Sequence, residues 1–213
     1  MLRPGRSGVG FGVGFGVGGE PLAALMAKRG CTLVATDAPS GQVPSWVTSG
    51  QHAADLEAVN PGGLCPPAVF RASVRFRQAD VNDIPGDLRG FDFCWSACAL
   101  EHLGSLEMGL RFIERSLDCL RPGGIAVHTT EFNLSSAEHT IESGSTVLYR
   151  QRDVEAMVQR LRAQGHRIDL NLHPGGHPLD RYVDLPPYRL DPHVKLLCGR
   201  YVSTSIGLLI RRA

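Results

Sequence analysis

The 213-residue chain has no apolar run approaching the roughly 18 to 20 residues a membrane-spanning helix needs, and its first residues lack a signal-peptide pattern. A basic block is also missing. Lys and Arg total 22 against 21 Asp and Glu, a formal charge of +1, so nothing marks a phosphate-backbone footprint and nucleic acid is not an expected partner. Cysteine is sparse: the six residues Cys31, Cys65, Cys94, Cys98, Cys119 and Cys198 show neither C-x-x-C pairing nor the dense spacing of a secreted disulfide scaffold, and read as buried free thiols. These absences lead to the expectation of a soluble, cytoplasmic protein without a membrane partner. What is present is apolar content of 43%, enough for a sizeable core, in a length that suits one domain over residues 1–213.

Glycine is the residue in excess. There are 25, and the segment from Gly8 to Gly19 reads GVGFGVGFGVGG before switching to EPLAALMAKRG. A glycine run that ends in a helical pattern (Leu22, Leu25, Met26) predicts a strand, a tight turn and a helix. The tandem GVGF pieces are a local duplication in that run, with no solenoid period. Gly30 suits a helix C-cap, and CTLVATD is a compact apolar strand closed by Asp37 and the break Pro39-Ser40-Gly41.

From Gln42 to Ala72 the periodicity is weak, and a short helix is expected around His52 to Val59 within a loop-rich connection. SVRFRQAD and FDFCWSA read as strands. Leu106, Leu110, Ile113, Leu117 and Leu120 step by 4, 3, 4 and 3, an amphipathic helix that Arg121-Pro122-Gly123-Gly124 ends. GIAVHTTEF is the next strand, and RDVEAMVQRLRAQG is a helix with Val154, Met157, Val158 and Leu161 on one face. IDLNLH, a Pro-rich excursion from Pro174 to Pro192, and TSIGLLIRR close the chain. Strands alternating with helices imply a parallel α/β sheet with helices on both faces, and two closing strands without a long helix between them imply an antiparallel edge.

Gly14, Gly16 and Gly18 stand where the chain leaves the first strand, turns sharply and lets a cofactor approach the backbone; Gly10, Gly12 and Gly19 leave other registers open. Asp37 follows Gly14 by 23 positions, close to the roughly 20 that carry an acidic side chain to the ribose hydroxyls of an adenosine cofactor. Glu20 at the helix start fits a pyrophosphate poorly and a cationic cofactor better, and it is also an ordinary residue for a helix start.

With these motifs the sequence resembles the class I S-adenosylmethionine-dependent methyltransferases from about Gly12 onward. GFGVGGEPL is similar to that family's glycine loop, VATD to its ribose-binding acidic residue, and QADVNDIP to the segment after the third strand. FDFCWSACALEHLGSLE and CLRPGGIAVHTTEFN are similar to the stretch after the fourth strand and the turn into the fifth. The resemblance implies a Rossmann-like, seven-stranded, mostly parallel sheet with an antiparallel C-terminal edge strand, and S-adenosylmethionine as cofactor. It implies contacts to that cofactor from Gly14, Gly16, Gly18, Asp37, Asp80 or Val81 against adenine, and Ser96. A narrower likeness, in GFGVG-x-EPL, EHLGS and HTTEFN, points to O-methylation of a small molecule such as a sugar or secondary metabolite.

Many members carry helices ahead of the glycine loop, whereas about a dozen residues precede Gly14 here. The short N-terminus lacks that helical cap. Closure of the acceptor site would then fall to Gln42–Ala72, to Pro174–Pro192, or to a partner subunit in a homo-oligomer. Alternatively the chain is a non-catalytic relative that binds cofactor.

A hydroxyl acceptor needs a base, and His is the natural candidate near neutral pH. His102 follows Glu101 just past the fourth strand, at the edge where ligands bind in open α/β sheets, and His128 lies late on the fifth. Alternation turns His128 and Thr130 one way and Thr129 and Glu131 the other, so His128 and Glu131 do not act as a pair. HPGGHPLD places His173, His177 and Asp180 near one another, but its prolyl and glycyl backbone opposes helical i, i+4 ligation, and no metal is expected. DLPPY, Asp184 to Tyr188, is a decoy of the adenine N-methyltransferase motif, since the slot after the fourth strand holds Ser96-Ala97-Cys98-Ala99. The enzymatic rival is a nicotinamide-dependent oxidoreductase, which would need a proton donor such as Y-x3-K; Tyr149 and Tyr182 lack that partner.

Overall fold

The computed structural model describes residues 10–42, 47, 48, 50–173, 175–189 and 191–213. Gly8 and Val9, where the glycine run opens, and Pro174 lie outside the described residues, as do positions 43–46, 49 and 190. The strands are β1 (Phe11–Phe15), β2 (Thr32–Asp37), β3 (Val74–Gln78), β4 (Phe91–Ser96), β5 (Leu120–Asn133), β6 (Arg167–Leu170), β7 (Lys195–Cys198) and β8 (Tyr201–Arg211). Their order is β3-β2-β1-β4-β5-β8-β6, with β7 paired to β8. The fold is therefore the expected α/β sheet with an antiparallel end, and β7 adds an eighth strand to the seven expected. The helices are α1 (Leu22–Lys28), α2 (Pro67–Ser73), α3 (Leu106–Asp118) and α4 (Gln151–Ala163).

The chain divides into two compact units that interleave in sequence. The first takes residues 1–97, 114–127 and 212, and the second takes 98–113, 128–211 and 213. In the first unit, β1 pairs in parallel with β2 (Val13 with Val34) and with β4 (Val13 with Cys94), and β2 pairs in parallel with β3 (Ala35 with Phe76). Helix α1 buries Ala23, Ala24 and Ala27, small residues that allow close approach, against a core of Leu33, Ala35, Val59, Phe70 and Trp95. Between β3 and β4 the chain makes only a single 3₁₀ turn, Val81–Asp83, and a groove of about 950 Å³ runs past Phe11, Val34, Phe76 and Leu88. The start of β5 is held by the other end of the chain: Gly123 N donates to Arg212 O and Arg212 N to Gly124 O.

Two local expectations are revised. The helix expected around His52 to Val59 is a single 3₁₀ turn at Glu57–Val59, and the helical segment of that connection is α2, started by Pro67. Proline is well placed there because the first turn of a helix has no use for its missing N–H. The buried stripe of α3 is Gly109, Phe112, Ile113, Ser116 and Leu117, with Leu106 and Leu110 only half-buried.

In the second unit, β8 runs antiparallel to β6 (Ile168 with Ile210) and to β7 (Leu196 with Ser203). Helix α4 buries the expected face of Val154, Met157, Val158 and Leu161. Its start is fixed by Arg150, whose side chain is buried and gives Nε and Nη2 to Asp153 at 2.7 and 3.0 Å and Nη1 to Glu138 O at 2.6 Å. Among the described residues no helix is long and apolar enough to cross a membrane.

A buried guanidinium is stabilising only while its partners remain, and removing one side of such a pair costs about 3 to 5 kcal/mol. Arg150→Ala is expected to lower stability by that order in a urea titration. Arg150→Lys should recover less than half of it, because an ammonium cannot reproduce the two-pronged contact with Asp153.

Candidate functional site

In the first unit, Gly14 near the end of β1 and Gly18 in the turn after it leave no room for a side chain. A Cβ on Gly14 would sit inside the Trp95 ring, with Val17 Cγ1 at 2.6 Å. Gly18 has φ +49°, and a Cβ there would strike the backbone oxygen of Gln51. The turn is pinned by Val17 N to Thr36 O at 3.1 Å and by Thr36 Oγ1 to Gly14 O at 2.8 Å.

Asp37 closes β2 and is 2% exposed. Its Oδ2 accepts from Gly18 N at 3.1 Å and Ala53 N at 2.8 Å, and its Oδ1 from Ala38 N at 2.8 Å. A carboxylate offers about four acceptor positions, so three amides leave one on Oδ1. Here Asp37 ties the glycine turn to the segment at residue 53, with capacity for one further hydroxyl where the sequence reading anticipated two.

The neighbouring residues follow β3. Ala79 N donates to Asp37 O at 2.8 Å, which brings Asp80 and Val81 alongside Asp37. Asp80 caps the next turn through Oδ1 and Asn82 N at 2.8 Å, and Val81 is buried. Ser96, at the end of β4 beside β1, is buried at 3%. Glu20 is half-buried just before α1, and its Oε2 has no hydrogen-bond partner. Burial raises its carboxyl to about 7. A carboxylate with one acceptor position left and an orphaned acidic oxygen suit a nucleoside that carries positive charge. The residues that the sequence assigns to the cofactor, Gly14, Gly16, Gly18, Asp37, Asp80, Val81 and Ser96, all belong to the first unit.

In the second unit, the single turn Leu100–His102 presents Glu101 and His102 differently. Glu101 is 1% exposed; its Oε2 accepts from Thr130 Oγ1 at 3.1 Å, and its backbone oxygen accepts from Val147 N at 2.8 Å. Burial, with the charge of Glu131 adding to it, outweighs these hydrogen bonds and raises the carboxyl to about 7. His102 is half-buried, with Nδ1 at 2.8 Å from the Ser145 carbonyl and 3.4 Å from Thr146 Oγ1. A carbonyl only accepts, so the neutral ring carries its proton on Nδ1 and keeps Nε2 as the basic nitrogen.

His128 is placed elsewhere. It is fully buried, its ring meets Phe112 edge-on at 5.4 Å, and burial lowers its pKa to about 3. A ring held neutral in the core has no access to an acceptor, so His128 takes a packing role.

The side chain that sequence reasoning set aside is Glu131. Its oxygens accept from Ser203 Oγ at 2.5 Å and Ser205 Oγ at 2.9 Å, and Ser205 Oγ also lies 3.5 Å from Cys98 Sγ. Donor atoms of Cys98, Glu101 and Glu131 lie within 4.8 Å of one another, the set that could hold a metal ion among the described residues. The alternating serines of YVSTSIG, on the strand beside HTTEF, were the available signal. His173 and His177 instead use Nδ1 to accept from Gly175 N and Leu179 N, and Asp180 accepts from His177 N, which is turn chemistry. Asp184 of DLPPY is buried and fastens its own loop through Arg189 N at 2.8 Å and His193 Nδ1 at 3.0 Å.

Two outcomes follow. Asp37→Ala should cost about 1 to 3 kcal/mol without any ligand, by leaving buried amides unpaired, read as a lower melting temperature of the ligand-free protein. For Glu101 the folded state holds its proton more tightly than the unfolded chain. Stability is therefore lost as pH rises from the ordinary carboxyl value of 4.5 to about 7 and is flat above. Glu101→Gln should gain on wild type across that window, by on the order of 3 kcal/mol at its upper end, as read by urea midpoints at pH 5 and 8.

Comparison with known proteins adds the following. A family model described as a methyltransferase domain matches residues 12–128. The DhpI–SAH complex superposes with a TM-score of 0.55 at 14% identity, covering 95% of this chain and 76% of that one. The glycopeptide N-methyltransferase MtfA gives 0.54 at 14%, covering 98% and 85%. An O-methyltransferase family protein from Burkholderia thailandensis gives 0.54 at 14%, covering 95% and 51%. At such identities the likeness is one of fold. A search of curated proteins finds no match.

Proposed function

Because the chain belongs to the methyltransferase-domain family, we propose that it transfers a methyl group from S-adenosylmethionine to an oxygen of a small molecule, such as a sugar or secondary metabolite, with His102 taking the acceptor's proton. The family membership removes the nicotinamide-dependent alternative. The observation that carries the proposal is the anchoring of His102: Nδ1 is committed to the Ser145 carbonyl at 2.8 Å, which leaves Nε2 as the base.

When bound, the cofactor supplies an electrophilic methyl carbon on a sulfonium. Displacement at that carbon needs alignment more than protein chemistry, and the glycine turn, Asp37 and Ser96 serve that alignment. His102 Nε2 would take the proton that an acceptor hydroxyl gives up on methylation. Glu101, buried in the same turn and tied to Thr130 and Val147, would act as a positioning residue by holding the turn that carries that ring.

The solved relatives include both an O-methyltransferase family protein and an N-methyltransferase, and the choice of oxygen rests on the presence of the base. An amine attacks through its own lone pair and does not need one in the same way.

Incubating the protein with cell extract and methyl-labelled cofactor is expected to label a small molecule. With that acceptor in hand, His102→Gln should lower kcat by about 10²- to 10⁴-fold, while S-adenosylhomocysteine affinity in a calorimeter changes less than about threefold. A loss under tenfold would move the acceptor to an amine. Binding of the cofactor product without label in any extract would favour the non-catalytic relative.

A further inference from the structure

We propose that the carboxylate of Glu20 receives the α-ammonium group of the methyl donor's amino-acid portion. The assignment rests on the methyl-donor reading above and adds to it a residue and the ligand group it takes. Glu20 leaves the glycine turn one residue before Pro21, with its N–H donating to Val17 O at 3.2 Å, so its position is set by the same turn that Gly14 and Gly18 shape. Its Oε2 is buried without a donor. Among the described residues Glu20 enters no ion pair, and the basic side chain of α1, Lys28, stands at the far end of that helix. An acceptor taken from water and given nothing in return is a standing cost in the free protein. A ligand that brings both a donor hydrogen and positive charge removes it.

The methyl donor has two cationic groups. A sulfonium carries no hydrogen to donate, whereas an ammonium carries three, so the orphaned oxygen selects the ammonium. Burial, which already raises this carboxyl to about 7, makes the oxygen readier for such a partner. The titratable groups on segments that touch the turn are Asp37, whose oxygens serve three backbone amides, and His52, whose Nε2 lies 2.7 Å from Ala38 O.

The test is calorimetric titration of the full chain with S-adenosylhomocysteine and with its analogue lacking the α-amino group. Wild type is expected to prefer the amino compound by on the order of 10- to 100-fold, and Glu20→Gln should shrink that preference to within about threefold. The ratio of S-adenosylmethionine to S-adenosylhomocysteine affinity should be the same in both proteins. An amino preference unchanged in Glu20→Gln overturns the assignment and leaves the methyl-donor reading intact, as does a variant that instead changes the sulfonium ratio. Failure of wild type to bind S-adenosylhomocysteine overturns the methyl-donor reading itself and the assignment with it.

Should Glu20→Gln not fold, wild type alone decides. S-adenosylhomocysteine binding at pH 7 in two buffers of different ionisation enthalpy should release about half a proton as the carboxyl ionises beside the ammonium. Release of none overturns the assignment.

Discussion

One carboxylate organises the end of the sheet where this protein would hold its methyl donor. Asp37 gathers backbone amides from three places in the chain: its own successor, the glycine turn and residue 53. Each of the three sits where the chain leaves the regular hydrogen bonding of helix or strand. Glycine at positions 14 and 18 is required by the protein's own packing, against Trp95 and the Gln51 backbone oxygen, and the Asp37 carboxylate ties that turn to residue 53. The same carboxylate keeps one acceptor position for a hydroxyl.

The second unit solves a different problem with similar means. Glu101 and Glu131 are two acidic groups whose donor atoms, with Cys98, fall within 4.8 Å of one another. Hydroxyls divide between them: Ser203 and Ser205 serve Glu131, and Thr130 serves Glu101. Burial, with the charge of Glu131 adding to it, pushes the Glu101 carboxyl up to about 7, which eases the repulsion between two neighbouring carboxyls. His102, in the same unit, is aimed by a backbone carbonyl, and a carbonyl cannot titrate. That orientation persists at any pH the fold survives.

Much of this was legible in local pattern. A glycine run that yields to a helical spacing and then to VATD fixes strand, turn, helix and strand within 30 residues, because each signal concerns its immediate neighbours. The apolar face of α4 was readable for the same reason. Helix α2 was not, since Pro66, Pro67 and the glycines before them hide a helix whose periodicity lasts two turns and buries only Phe70. The early start of β5 was also hidden, because its partner is Arg212. Alternation placed His128 and Glu131 on opposite faces correctly, but which face meets the core depends on Phe112, which the strand itself does not reveal. The burial of Glu101 and the orphaned oxygen of Glu20 belong to the same class: polarity is written in a residue's type, while its solvent is set by distant segments.

The interleaving of the two units has a consequence for biosynthesis. Residues 1–97 emerge from a ribosome as a contiguous block, yet their unit is finished only by 114–127 and by Arg212, which caps the start of β5. Domains that occupy unbroken stretches can fold in turn as they are made. Here that block must wait until Arg212 has been made. Slow translation through the closing strand would lengthen that interval, and a circular permutation that delivered Arg212 early would shorten it.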